Sequence, residues 1–357
     1  MKKKVLVAMS GGVDSSVAAL LLAAEGYDCS GVTLKLFYGP ETAQAENACC
    51  SLAAVEDARM TARAVGIPHY VFNFTAQFEQ GVLEPFVRSY AAGLTPNPCI
   101  DCNRRVKFPC LWRRARELGA EFIATGHYAG TAYDSGSGRH LLLKAADARK
   151  DQSYVLYALT QEELAHTLFP LGALTKDETR RIAAGHNLPN ARKRDSQDIC
   201  FVPDGDYAAF IEAYSGLTFP PGDFVGPDGA QLGKHRGIIR YTVGQRKGLG
   251  VAFGEPLYVC AKSASANTVR LGRAADLYRR AMDVGEVNFI AVERLERPRR
   301  AEVKIRYSQE AYPATIEQTG AGAVHVEFDA PRRAITAGQA AVFYEGDVVL
   351  GGGVISA

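Results

Sequence analysis

The stretch Ala8-Met9-Ser10-Gly11-Gly12-Val13-Asp14-Ser15-Ser16 constrains this chain more than any other. An apolar run, Val5–Met9, leads into it, and a helix-like run, Val17–Glu25, leads out. The pattern reads as a buried strand ending in a glycine turn that opens a helix. Adjacent glycines carry no Cβ and let the backbone approach a ligand closely. Ser10, Ser15 and Ser16 add hydroxyl donors, and the N–H groups of a helix start favour an anion. A serine-capped helix after a strand explains one serine and one glycine, but not the whole string. No lysine follows at the Walker spacing, and the glycines are not spaced as G-x-G-x-x-G. Asp14 suits a magnesium contact beside bound phosphates.

The rest of the first half alternates. Tyr27–Leu36, His69–Phe74 and Glu121–Thr125 read as strands. Ser51–Gly66, Phe78–Ala92, Arg104–Leu118, Gln161–Leu168 and Lys176–Asn187 read as helices. Such alternation predicts an α/β fold with a doubly wound parallel sheet. Ligands bind at the carboxyl ends of such strands. The glycine-serine loop and Thr125-Gly126-His127 both lie at such ends and are expected to face one pocket. Two prolines predict a stiff loop over Thr95–Asn103, and Asp134–Gly138 predicts a hairpin turn. After about residue 206 turn signals multiply, and Gly237–Gly250 mixes a strand with a basic glycine loop. From about residue 280 short β-like runs predict a small barrel or sandwich. At 357 residues, two or three domains are expected.

The net charge is only +2, but basic residues cluster. The groups are Arg104–Arg116, Arg192–Arg194, Lys234–Lys247 and Arg294–Arg306. Such patches can hold nucleic-acid phosphates, although any single one is more often a solvated face. No stretch approaches the roughly 18 apolar residues of a membrane span, and the basic start runs straight into a strand. No membrane partner and a cytoplasmic location are expected. Of eight cysteines, Cys29, Cys110 and Cys260 read as small buried hydrophobes, and Cys49-Cys50 as a helix start. Cys99-x-x-Cys102 suggests metal or redox chemistry in a reducing compartment. Cys102 and Cys200 lie in polar stretches beside basic residues, where a thiolate is favoured. They read as a nucleophile and a resolving thiol on separate segments.

The ordered set is specific: Ser10–Ser16, Thr95–Pro98, Cys102-Asn103, Lys107-Phe108, Ala124–Tyr128, Lys150–Tyr154, Asp198–Phe201, Gly244–Gly250, Arg306-Tyr307 and Gly351–Gly353. It resembles the tRNA-specific 2-thiouridylase family of the PP-loop ATP pyrophosphatases nearly end to end. The resemblance implies a PP-loop domain of the adenine nucleotide alpha hydrolase type over 1–205, a small mixed central domain over 206–278 and a tRNA-binding β-barrel over 279–357. It implies ATP-dependent thiolation of the wobble uridine, with release of AMP and pyrophosphate. Ala8, Met9, Ser10, Gly11, Gly12, Val13, Asp14, Ser15, Leu34 and Gly126 are then ATP contacts, with Mg2+ alongside. Cys102 is the nucleophile and Cys200 the persulfide carrier, charged by a sulfur-donor protein. Asn97, Pro98, Cys99, His127, Lys150, Asp151, Gln152, Arg306, Tyr307 and Gln339 meet the tRNA, whose anticodon arm the β-rich half grips. Many members carry an aspartate where this chain has Cys99. A thiol is a weaker base and a better metal ligand. The alternative for this chain is therefore an iron–sulfur cluster on Cys99, Cys102 and Cys200. Another adenylating ligase, or an RNA-binding or redox module, leaves either the cysteines or the loop unused.

Overall fold

The computed structural model describes residues 2–37, 52–194, 199–202, 205–251 and 254–356. Cys49, Cys50 and Asp198 lie outside the described residues. Among the described residues the strands form three sheets.

The first sheet is parallel. Its strands are β1 (Lys4–Ala8), β2 (Asp28–Lys35), β3 (His69–Asn73) and β4 (Phe122–Ala124). A hairpin, β5 (Gly130–Asp134) and β6 (Arg139–Leu143), precedes the short β7 (Thr167–Leu168). The order β3-β2-β1-β4-β7 puts β1 at the centre. Its unbroken apolar run follows from burial on both faces. Val5 and Val7 pack against Ala19 and Leu22 of helix Val13–Ala24 and Ala58 and Ala62 of helix Leu52–Val65. Leu6 joins Leu111 and Ala115 of helix Phe108–Glu117 on the other side. This is the doubly wound arrangement expected from the alternation. The helix expected over Gln161–Leu168 stops at Ala165, and Thr167-Leu168 instead pairs beside β4.

The proline-rich segment departs from expectation. Instead of a loop through Asn103, a helix begins at Pro98 and runs on through a π-helical stretch, Cys102–Lys107, into Phe108–Glu117. Proline needs no N–H at the first helical position, and Asn97 is the cap, its Oδ1 accepting from Cys99 N at 3.1 Å. Cys99 and Cys102 are thus helical residues.

The second sheet holds β8 (Gly222–Val225), β9 (Gln231–His235), β10 (Tyr258–Ser263) and β11 (Thr268–Gly272), in the order β10-β11-β8-β9. Gly237–Gly250 supplies only a short 3-10 turn, Ile238–Arg240, and no strand, because positive-φ glycines interrupt pairing. One apolar core joins this sheet to the first domain, linking Phe86 and Phe201 with Phe224 and Val259.

The third sheet is a closed barrel. Its strands are β12 (Tyr278–Phe289), β13 (Arg299–Lys304), β14 (Tyr312–Gly320), β15 (Ala323–Arg333), β16 (Ala340–Glu345) and β17 (Val348–Ile355). The order is β12-β15-β14-β13-β16-β17, and β12 pairs back onto β17. Val303, Ile316, Val326, Phe328 and Phe343 fill the interior. The β5–β6 hairpin from the first half attaches to β17 through Leu143 and Val348. No helix among the described residues is long and apolar enough to cross a membrane.

Candidate active site

The glycine-serine loop lies at the carboxyl end of β1. Gly12 keeps an extended backbone, and helix Val13–Ala24 starts behind it without a side-chain cap. Ser15 and Ser16 hydroxyls donate back to Gly12 O at 3.1 and 2.9 Å, and Ser10 N donates to Ser15 Oγ at 3.2 Å. Gly11 turns with φ +71°, and a Cβ there would strike the Ala54 carbonyl. A Cβ on Gly126 would lie 2.6 Å from Ser15 N, so the β4 end presses directly on the loop. The two strand ends therefore meet, as their positions in sequence predict.

Asn190 clamps the loop from outside. Its Nδ2 donates to Gly11 O at 3.0 Å and to Ser16 Oγ at 2.8 Å. Asp14, in the first turn of the helix, is held by Lys176 Nζ at 2.7 and 2.8 Å and by the Tyr128 hydroxyl at 2.9 Å. Neither Asn190 nor Lys176 is singled out by the sequence, because each acts across more than 160 residues.

A cavity of about 540 Å³ opens over the loop, a volume suited to a nucleotide-sized ligand. Ala8, Met9, Ser10, Gly12, Val13, Asp14 and Ser15 form its floor. Leu34, with Val32 and Leu36, makes an apolar wall. Gly126 and His127 close the β4 side. Lys107, Arg149, Lys150, Lys193 and Arg194 supply positive charge, Gln152 a polar group, and Tyr307 reaches in from the barrel. Gly11 lies behind this lining, in the loop itself. The arrangement offers an apolar face for a planar base and a cationic side for phosphates.

His127 accepts or donates to Thr125 Oγ1 at 2.8 Å and stacks on Phe108, with ring centroids 5.9 Å apart. Burial holds its pKa well below the ordinary 6.5, and Lys107 adds to the effect. The ring is therefore neutral at pH 7 and acts by hydrogen bonding and stacking rather than as a cation.

The remaining expected residues are placed unevenly. Cys102 is buried in the apolar core, one helical turn from exposed Cys99. Cys200 packs at the margin of the same apolar cluster, beside Phe201. Among the described residues no three His, Cys, Asp or Glu side chains gather as metal ligands. Asn97 and Pro98 serve the helix start. Asp151 turns inward, accepting from Ala145 N, Ser153 N and Ser153 Oγ. Arg306 Nη2 donates to Val243 O, Ala334 O and Thr336 Oγ1, stapling the Gly237–Gly250 segment to the barrel. Gln339 Nε2 donates to Thr95 O at 2.8 Å. Cys29, Cys110 and Cys260 are buried as expected.

The fourth basic cluster is no bare patch. Arg300 pairs with Asp329 at 2.6 Å, Arg299 with Glu345, and Arg306 faces inward. In the others Arg104 pairs with Glu286, Lys193 with Asp57 and Arg240 with Glu212.

Comparison with known proteins agrees along the whole length. Residues 3–204 match a family described as a tRNA methyl transferase HUP domain, 208–273 a tRNA methyl transferase PRC-barrel domain, and 279–355 an aminomethyltransferase beta-barrel domain. The chain is 48% identical over 355 residues to tRNA-specific 2-thiouridylase MnmA of Clostridioides difficile, covering 99% of this chain and 98% of that protein. It is 50% identical to the MnmA of Acetivibrio thermocellus, with 99% of each chain covered. With the MnmA of Heliobacterium modesticaldum the identity is 52%, over 99% of this chain and 93% of that one. At this identity and over this length, the chain belongs to the tRNA-specific 2-thiouridylase family.

Proposed function

We propose that this enzyme replaces the C2 oxygen of the wobble uridine in tRNA with sulfur, consuming ATP and releasing AMP and pyrophosphate. The observation that carries the reading is the single cavity into which the Ser10–Ser15 loop, the Gly126-His127 strand end, Lys150, Gln152 and the barrel's Tyr307 all open. The loop suits the pyrophosphate end of ATP, and Val32, Leu34 and Leu36 suit its base. Tyr307 is half exposed at the mouth, where an unstacked uridine can lie against an aromatic face. Domain limits after residues 205 and 278 are supported by β8–β11 falling between them.

A uridine C2 carbonyl is a weak electrophile. Its oxygen attacks the α-phosphorus of ATP, and pyrophosphate leaves with the bonding pair toward the loop N–H groups and the cavity cations. The terminal sulfur of a Cys200 persulfide, delivered by a donor protein, then bonds C2. The C2–O bond breaks, and AMP departs with that oxygen. Cys102 thiolate attacks Cys200 Sγ, leaving the electron pair of the broken S–S bond on the uridine sulfur. The resulting Cys102–Cys200 disulfide is reset by an external dithiol.

Two thiols suffice for this route. A cluster needs three or four, and among the described residues no three such side chains gather. Both Asp14 oxygens accept from Lys176, which leaves that carboxylate less negative charge to offer a magnesium ion. Magnesium commonly arrives on the phosphates themselves.

The test is direct. The purified chain, given ATP, a persulfide donor and unmodified tRNA, is expected to yield 2-thiouridine in the digested product, with AMP and pyrophosphate released. Cys102→Ser is expected to keep ATP binding and lose thiolation. Absence of any thiolated nucleoside with the unaltered chain would sink the proposal.

A further inference from the structure

Two helix N-termini converge on Asp14. Asp14 occupies the first turn of helix Val13–Ala24, and Lys176 is the first residue of helix Lys176–Gly185. The helix dipole favours a carboxylate at such a place and disfavours an ammonium. Lys176 is also buried, at 6% exposure. A lysine in that setting is retained by its counter-charge, and here the counter-charge is Asp14, through both oxygens at 2.7 and 2.8 Å.

The pair is braced from three directions. Thr175 and Glu178 cap the Lys176 helix reciprocally. Asp147 accepts from Lys176 N at 3.1 Å and from Arg149 N at 3.1 Å, and Arg149 lines the cavity. The Tyr128 hydroxyl donates to Asp14 at 2.9 Å and lies 2.9 Å from Thr179 Oγ1, one turn along the Lys176 helix. Asp14 lines the cavity and Lys176 does not. The carboxylate therefore stands between the ammonium and the space above the loop. Bare, it would repel a polyphosphate at close range; paired, it does not.

Resting on the ATP reading above, we propose that Lys176 is a positioning residue for the nucleotide. It neutralises Asp14 and fixes its rotamer, so that the loop's N–H groups meet the polyphosphate without an opposing charge. The sequence motif alone assigns that part of the site to the loop; the counter-charge to its carboxylate comes from a helix 162 residues away.

The test is ATP affinity by calorimetry on the full chain and three variants. Lys176→Met is expected to weaken ATP about tenfold or more, because it exposes the Asp14 charge. Asp14→Asn in the Lys176→Met background is expected to recover most of that loss, which a merely structural role for Lys176 would not produce. Lys176→Arg is expected to hold ATP within about fivefold of the unaltered chain, since the charge survives. If Lys176→Met fails to fold, the double variant and Lys176→Arg still decide, and loss of ATP binding in either overturns the inference. So does unchanged affinity in Lys176→Met, or a double variant no tighter than Lys176→Met. An unaltered chain that does not bind ATP overturns the nucleotide reading, and this inference with it.

Discussion

His127 shows how one side chain couples the site to solution pH. Its ring is held neutral by burial, and desolvation also lowers His69 and His235 from 6.5. Unfolded, these rings take up protons near 6.5; folded, they resist. The unfolded state then binds more protons, so stability rises with pH, is complete above about 6.5 and is lost as pH falls below it. The melting midpoint is expected to drop between about pH 7 and about pH 5, and His127→Gln is expected to flatten that drop. Melts at matched ionic strength check it, and an unaltered pH slope in His127→Gln would count against a ring held neutral in the folded state.

At the scale of elements, the strand–loop–helix unit around Ser10–Ser16 was legible because its signals are local. The apolar run, the paired glycines and the helical period sit within about 20 residues of one another. The parallel sheet was legible for the same reason, repeated four times. The Pro98 helix was not, since a proline that ends one element also starts another, and only the Asn97 cap separates the two cases. The inward direction of Arg306 was not legible, because a charge in sequence carries no sign of whether it faces water or three backbone and hydroxyl acceptors. Lys176 and Asn190 were invisible, since their partners are set by tertiary packing alone. The Asn97 cap has a measurable weight. Asn97→Ala is expected to cost ~1 kcal/mol in denaturant unfolding and to lower thiolation by shifting the Cys102 helix, whereas Cys99→Ala is expected to keep thiolation. Equal activity loss in both variants would contradict a two-thiol site.

The whole molecule is held together by crossings between its parts. Arg306 joins the Gly237–Gly250 segment to the barrel, Thr95 N donates to Ala337 O, Gln339 returns to Thr95 O, and the Asp151–Ser153 turn reaches Tyr344. Arg306→Met, which strands those acceptors, is expected to cost ~2 kcal/mol and to lower the melting midpoint. Tyr307→Leu is expected to weaken tRNA binding with little change in melting. Filter binding beside calorimetry separates the two, and equal destabilisation would show that Tyr307 too is a structural tie.

The β5–β6 hairpin carries a further consequence, for the order in which the chain is made. Arg139 Nε donates to Ile290 O and Gln161 Nε2 also reaches Ile290 O, so early residues are completed by a carbonyl 151 positions downstream of the first. Asn288 likewise closes onto Tyr157 O and Leu159 O. As the ribosome releases the N-terminal half, those groups wait in water for a barrel that is not yet translated. The nascent first half is therefore an incomplete folding unit, and its last polar contacts form only after the barrel strands emerge.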